Sequence, residues 1–170
     1  MKLTFSAQDE AFCEQLLGFL QQHCPSQAYT TRDMIGSDDV DANGVMVIPQ
    51  WARDWQATLF DHGWMMPSYP KELGGRDATP TQTMPYLEAL AQRGICRSLH
   101  FGGYAIVAPS LLEFGNAQQK SLAPAAIRGD TVWCIGMSEP GAGSDLAALA
   151  TRADASGDHF IVNGQKVWTS

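Results

Sequence analysis

The segment Met137-Ser138-Glu139-Pro140-Gly141-Ala142-Gly143-Ser144-Asp145-Leu146 gathers small residues, hydroxyls and a proline into one short stretch. Gly141 and Gly143 let main-chain N–H groups approach a ligand with no Cβ in the way, and Ser144 adds a hydroxyl donor. Neutral donors on such a loop suit a pyrophosphate. The spacing is not the dinucleotide fingerprint, because Leu146 stands where its third glycine belongs and no helix-forming run follows. Taken alone, these residues are also what an ordinary turn between two apolar runs looks like, and that is the commoner use of them.

Downstream come His159-Phe160-Ile161-Val162, then Asn163-Gly164, then Gln165-Lys166-Val167-Trp168-Thr169-Ser170. Asn-Gly between β-rich runs is the strongest short-range hairpin signal, since both central residues of a type I′ turn take positive φ. The expected chain reversal at Asn163-Gly164 brings Trp168, Thr169 and Ser170 onto a strand beside another over Val132–Ser138. A flat aromatic and two hydroxyls then flank the glycine loop, and a planar, hydrogen-bonding cofactor fits between them.

These two motifs, Gly136 to Asp145 and Asn163 to Ser170, together with the Trp64 to Gly75 stretch containing Pro70, Glu72 and Gly74-Gly75, resemble the acyl-CoA dehydrogenases. The resemblance runs over all 170 residues and corresponds to about the N-terminal half of a typical member. It implies FAD as cofactor. Ile135, Met137 and Ser138 would meet the isoalloxazine edge, Ser138 taking the place of the family's threonine or serine. Gly143 and Ser144 would hold the pyrophosphate region, with Ser144 also touching the thioester arm of the substrate. Trp168 would lie against the flavin face, Thr169 beside it, and Ser170 would offer its hydroxyl near N5.

The implied reaction is α,β-dehydrogenation of an acyl-CoA to a 2-enoyl-CoA, part of fatty acid metabolism. A carboxylate takes the α-proton while the β-hydride passes to N5. The family's carboxylate lies beyond residue 170, so no catalytic residue is assigned here. An electron-transferring flavoprotein is the implied electron acceptor, and a homotetramer or hetero-oligomer the implied assembly. Acyl-CoA oxidases and nitroalkane oxidases share this scaffold, and a non-catalytic partner subunit is a further alternative. One departure is local: the family usually has Ala-Leu-Thr or Ala-Met-Thr where this chain has Gly136-Met137-Ser138.

Composition sets bounds on these readings. With 45% hydrophobic and 17% charged residues the chain is expected to bury a core. A formal charge of −7, with 11 Lys plus Arg spread thinly, argues against a nucleic-acid partner. The longest apolar stretch, Tyr104 to Leu112, contains Pro109 and is far shorter than the ~20 residues of a membrane span. No secretory pattern opens the chain, which makes cytoplasmic the default location. Cys13, Cys24, Cys96 and Cys134 read as reduced core thiols. His23, His62, His100 and His159 share no ligand spacing, so no metal is expected. Glu139, beside Pro140, reads as a residue that hydrogen-bonds to hold the loop and not as a base.

The elements that must position these residues fall into a mainly α pattern. Residues 1–130 read as an all-α domain, and 131–170 as the first strands of a β-barrel-like middle domain, an α+β flavoprotein cut short at Ser170 in mid-strand. Ser6 with Asp9 caps a first helix whose stripe is Phe12, Leu16, Phe19 and Leu20 and which ends near Cys24. Ser26 to Val47 is a polar loop, longer than in short-chain members and read as a surface excursion. Pro49 opens a second helix with Trp51, Trp55 and Leu59 on one face, closed by Gly63. Met65 to Thr79 is a structured loop. A third helix starts at Thr79-Pro80, carries Met84, Leu87 and Ala91 inward, and ends at Gly94. A fourth runs from Leu99 to Phe114 with a kink at Pro109, and a fifth from Asn116 to Gly129.

Overall fold

The computed structural model describes residues 5–29, 41–45 and 47–169. Most of the polar loop at 30–40, and Ser170, lie outside them. The chain divides into two units, Met1–Val132 and Trp133–Ser170. The fold is mainly helical with one short two-stranded sheet.

In the first unit, α1 (Ala7–His23) begins with a reciprocal cap. The Ser6 hydroxyl accepts from the Asp9 N–H at 3.2 Å, and the Asp9 carboxylate accepts from the Ser6 N–H at 3.0 Å. Both donors would otherwise be orphaned at the helix start. Phe12, Leu16, Phe19 and Leu20 are buried, the stripe that the sequence predicts. Helix α2 (Gln50–Asp61) follows Pro49 and buries Trp55 and Leu59, with Ala52 and Gln56 completing the face and Trp51 only half-buried.

Helix α3 (Pro80–Arg93) has the expected ends, with Gly94 left-handed at its close, but turns the opposite face inward. Gln82, Pro85, Tyr86 and Leu90 are buried, while Met84 and Leu87 are 55% and 46% exposed and Ala91 is exposed. The Tyr86 ring lies against Trp64, centroids 6.2 Å apart, and its hydroxyl donates to the Trp64 carbonyl at 2.5 Å. A large ring with a satisfied hydroxyl fills the interior there, and the smaller apolar stripe is left outside.

Residues 101–114 are helical, with a π turn over Gly103–Val107 leading into α4 (Ala108–Phe114). Pro109 lies inside this continuous helix just after the π turn, and the widened turn accommodates its ring and its missing N–H. The expected fifth helix is two: α5 (Ala117–Lys120) and α6 (Ala123–Arg128). Pro124, in the first turn of α6, has no N–H to continue the ladder from α5.

Helices α1 and α3 pack together, as do α2 with α6 and α4 with α6. Trp64 anchors the interior between Phe12 and Tyr86, with ring centroids 5.1 and 6.2 Å away. Several buried polar groups are paired, whereas the buried Tyr104 hydroxyl has no partner among the described residues. The Trp55 indole N–H donates to the Cys96 carbonyl at 2.8 Å, and the Gln56 amide donates to the Ile127 carbonyl at 2.9 Å while accepting from the Ser98 hydroxyl. Each such bond contributes about 1 kcal/mol net, and removing one partner alone costs roughly 1–3 kcal/mol because the other is left buried and unsatisfied. In the loop before α3, Gly75 lies against the Tyr69 carbonyl so closely that no Cβ fits.

In the second unit, β1 (Arg152–Ser156) and β2 (His159–Asn163) pair antiparallel, Arg152 opposite Asn163 and Ser156 opposite His159. The hairpin turn is Gly157-Asp158, with Gly157 at φ +65°, and not Asn163-Gly164 as the dipeptide signal led us to expect. Asn163 ends β2, and Gly164 passes so close to Thr151 that a side chain has no room. Among the described residues, 132–138 and 165–169 form no strands; the backbone bond between them is that from the Val167 N–H to the Ser138 carbonyl, where a ladder would need several. The cysteines are free thiols, but only Cys96 is buried; Cys13 and Cys24 are half-buried, and Cys134 is exposed, contrary to the expectation of a core position. Among the described residues no helix is long and apolar enough to cross a membrane.

Candidate functional site

Two of the segments expected to hold a cofactor, 135–138 and 166–169, meet in the second unit at a corner built on Glu139, while Gly143 and Ser144 take no part in the bonds that join them. Pro140 and Gly141 turn the chain so that the Glu139 N–H donates to the Ala142 carbonyl at 2.8 Å and the Ala142 N–H donates back at 3.1 Å. This folds Glu139 inward, where it is 8% exposed. Its carboxylate accepts from the Ala150 N–H at 2.7 Å, the Thr151 N–H at 3.0 Å and the Lys166 ammonium at 2.9 Å. The Thr151 side chain, the Ala150 amide and Lys166 favour the charged form and hold the carboxyl at a pKa of about 2. Thr151 Oγ1 lies near enough to contribute, yet among the described residues it has no partner in hydrogen-bonding geometry. Glu139 therefore holds the loop, the role its position beside Pro140 led us to expect.

Lys166 carries the connection further. Its ammonium also donates to the Met137 carbonyl at 3.0 Å, and the next residue, Val167, donates its N–H to the Ser138 carbonyl at 2.9 Å. The Lys166 stem passes over Gly136, where a Cβ would stand 3.2 Å from its Cγ. Segments 135–138 and 166–169 are thereby brought side by side, by an ion pair and one backbone bond in place of the expected strand pairing.

Ile135 and Ser138 are half-buried, while Met137, Gly143, Ser144, Trp168 and Thr169 are exposed. The Ser138 N–H and the Ser144 hydroxyl take no partner among the described residues. At Gly141 and Gly143 nothing lies within 4 Å of where a Cβ would be. Trp168 is 86% exposed and adopts φ +56°, a left-handed conformation that a bulky residue rarely takes. The donor set is neutral hydroxyls and main-chain N–H groups, the chemistry that suits a flavin ring edge and a pyrophosphate. Ser170 lies outside the described residues.

The first unit holds a separate cleft of about 730 Å³ between α1 and the 71–79 loop, lined among others by Phe12, Phe60, Lys71 and Arg76. None of the residues expected to hold a cofactor lines it. No role for Lys166 is legible in the sequence alone. A lysine whose partners lie 27 and 29 positions back in the chain leaves no local spacing signal.

The N-terminal domain profile of acyl-CoA dehydrogenases matches residues 6–130, and the middle-domain profile matches residues 134–170. The chain belongs to the acyl-CoA dehydrogenase family. It is 40% identical over 119 residues to acyl-CoA dehydrogenase IpdE1 of Mycobacterium tuberculosis (strain ATCC 25618 / H37Rv), an alignment covering 69% of this chain and 31% of that protein. With acyl-CoA dehydrogenase FadE34 of the same organism it shares 40% identity over 128 residues, 74% of this chain and 17% of that one. The chain thus spans under a third of the length of these relatives. Among solved structures, the ChsE4-ChsE5 complex from Mycobacterium tuberculosis superposes with a TM-score of 0.68 at 30% identity, covering 100% of this chain and 40% of that chain. The Tcur3481-Tcur3483 steroid ACAD does so with a TM-score of 0.69 at 28% identity, covering 100% of this chain and 41% of that chain. This chain thus joins the family's N-terminal domain, helical here, to a stretch matching its middle domain.

Proposed function

We propose that this chain forms the cofactor-cradling part of an FAD-dependent enzyme that converts an acyl-CoA thioester to its 2-enoyl-CoA. The observation that carries the reading is the junction at Lys166, which brings the Met137-Ser138 peptide and the Trp168 segment together. Bound FAD supplies the acceptor for the hydride leaving the substrate's β-carbon.

In this reading Ile135, Met137 and Ser138 present main-chain and hydroxyl donors to the ring edge, where charge accumulates on reduction. Gly143 and Ser144 leave the loop open for the pyrophosphate, and Ser144 reaches toward the thioester arm. Trp168 covers one ring face and shields it from water, with the hydroxyls of Thr169 and Ser170 beside it. No residue of this chain is assigned as the base. An electron-transferring flavoprotein is the proposed electron acceptor. The ChsE4-ChsE5 complex supports assembly with a homologous subunit, and the steroid ACAD supports trying a polycyclic acyl-CoA beside straight-chain ones.

The test is to purify the complete reading frame and record its absorbance. The expected result is a flavin spectrum that bleaches anaerobically when an acyl-CoA is added. Gentle purification that leaves no yellow cofactor on soluble protein defeats the reading. Bleaching by nitroalkanes but by no acyl-CoA moves the protein to the oxidase branch of the same scaffold.

A further inference from the structure

We infer that the Glu139–Lys166 ion pair tunes the reduction potential of the flavin, acting through the Met137–Ser138 peptide. The inference rests on the flavin reading above. Lys166 touches two acceptors at once, the Met137 carbonyl at 3.0 Å and Glu139 Oε1 at 2.9 Å. No cis peptide occurs among the described residues, so the Met137 C=O and the Ser138 N–H point in opposite directions across one planar unit. An ammonium on the oxygen polarises that unit and makes the N–H on its far side a stronger donor. That N–H takes no partner among the described residues and belongs to a half-buried serine. It is the main-chain donor that the flavin reading sets at the ring edge.

Glu139 opposes this effect. Its carboxylate, fixed by the Ala150 and Thr151 amides, cancels most of the lysine's field at a distance. Lys166 and Glu139 are positioning residues, neither of which touches substrate. Removing the lysine leaves an uncompensated anion and a weaker donor, and removing the carboxylate's charge leaves an uncompensated cation. Reduced flavin carries more negative charge than oxidised flavin, so the two changes must shift the potential in opposite directions. A role confined to bracing the loop cannot do this, because losing either partner loosens the same corner.

The experiment is dye-equilibration potentiometry on the complete reading frame with its flavin bound. Lys166→Met is expected to disfavour reduction by about tenfold, a fall of about 30 mV for a two-electron couple, and Glu139→Gln to favour it by a similar factor. Lys166→Arg, which keeps the charge, is expected to stay with the unsubstituted protein. Should Lys166→Met fail to fold, the Gln and Arg variants still decide the matter. Unchanged potentials, or shifts of one sign in both charge-removing variants, overturn the inference while leaving the flavin reading intact. Unsubstituted protein that binds no flavin overturns both.

Discussion

Glu139 joins structure to pH behaviour at the level of one carboxylate. The Thr151 side chain, the Ala150 amide and Lys166 hold its pKa at about 2, against an ordinary value of 4.5. A depressed folded-state pKa stabilises the fold in full above the ordinary value, and that contribution is lost as pH falls toward the folded one. The second unit should therefore lose stability between about pH 4.5 and 2, and Glu139→Gln should remove that slope. Acid titration followed by tryptophan fluorescence, which includes Trp168, measures it. In the first unit, Tyr86→Phe strips the Trp64 carbonyl of a fully buried donor and should cost roughly 1–2 kcal/mol in urea unfolding. Residue type alone makes Ser138, Ser144 and Trp168 candidates in the sequence, and the structure brings the Ser138 segment beside that of Trp168. Lys166 is not legible in this way, because its partners are a main-chain carbonyl and a carboxylate that only folding brings near.

Helix termini could be read from neighbouring residues because capping is a local interaction. Ser6 with Asp9, Pro49, Thr79-Pro80 and Gly94 mark the ends of α1, α2 and α3 within a few positions. Which face of α3 turns inward depends instead on Trp64, 22 positions before Tyr86, and local periodicity cannot weigh that partner. The hairpin posed the same difficulty. Two dipeptides, Gly157-Asp158 and Asn163-Gly164, both carry turn chemistry, and strand register decided between them. Substitution separates the two roles. Gly157→Ala puts a Cβ at φ +65° with open space around it and should cost about 1 kcal/mol of backbone strain. Gly164→Ala drives a methyl into Thr151, whose amide binds Glu139, and so should disturb the corner itself. The expected outcome is a lower thermal midpoint for both, with the amide resonances of Ala150 and Thr151 displaced only by Gly164→Ala. Equal displacement by Gly157→Ala would mean that the corner is not independent of the hairpin turn.

The two units differ in how much each buries. Within Met1–Val132 large side chains such as Trp64, Tyr86, Tyr104, Leu16 and Leu59 are almost wholly enclosed. Within Trp133–Ser170 the buried side chains among the described residues are those of Glu139 and Ala142, and Phe160, Val162 and Trp168 are 68%, 65% and 86% exposed. A lone two-stranded hairpin is marginally stable in water, and one that encloses no apolar side chain has little to oppose its conformational entropy. Opening of this unit should thus be far easier than opening of α1 or α2. In the 170-residue chain by itself, native-state hydrogen exchange should show β1 and β2 amides exchanging orders of magnitude faster than those in the centres of α1 and α2. FAD retention by that chain should be weak for the same reason, since a ligand must order the unit before binding it. In the complete reading frame with flavin bound, the same strand amides should become protected, because ligand binding stabilises the state that holds it. Strand amides protected as strongly as α1 in the 170-residue chain, or stoichiometric FAD retention by it, would show that the second unit is self-sufficient and that Glu139 and Lys166 alone hold the cradle in shape.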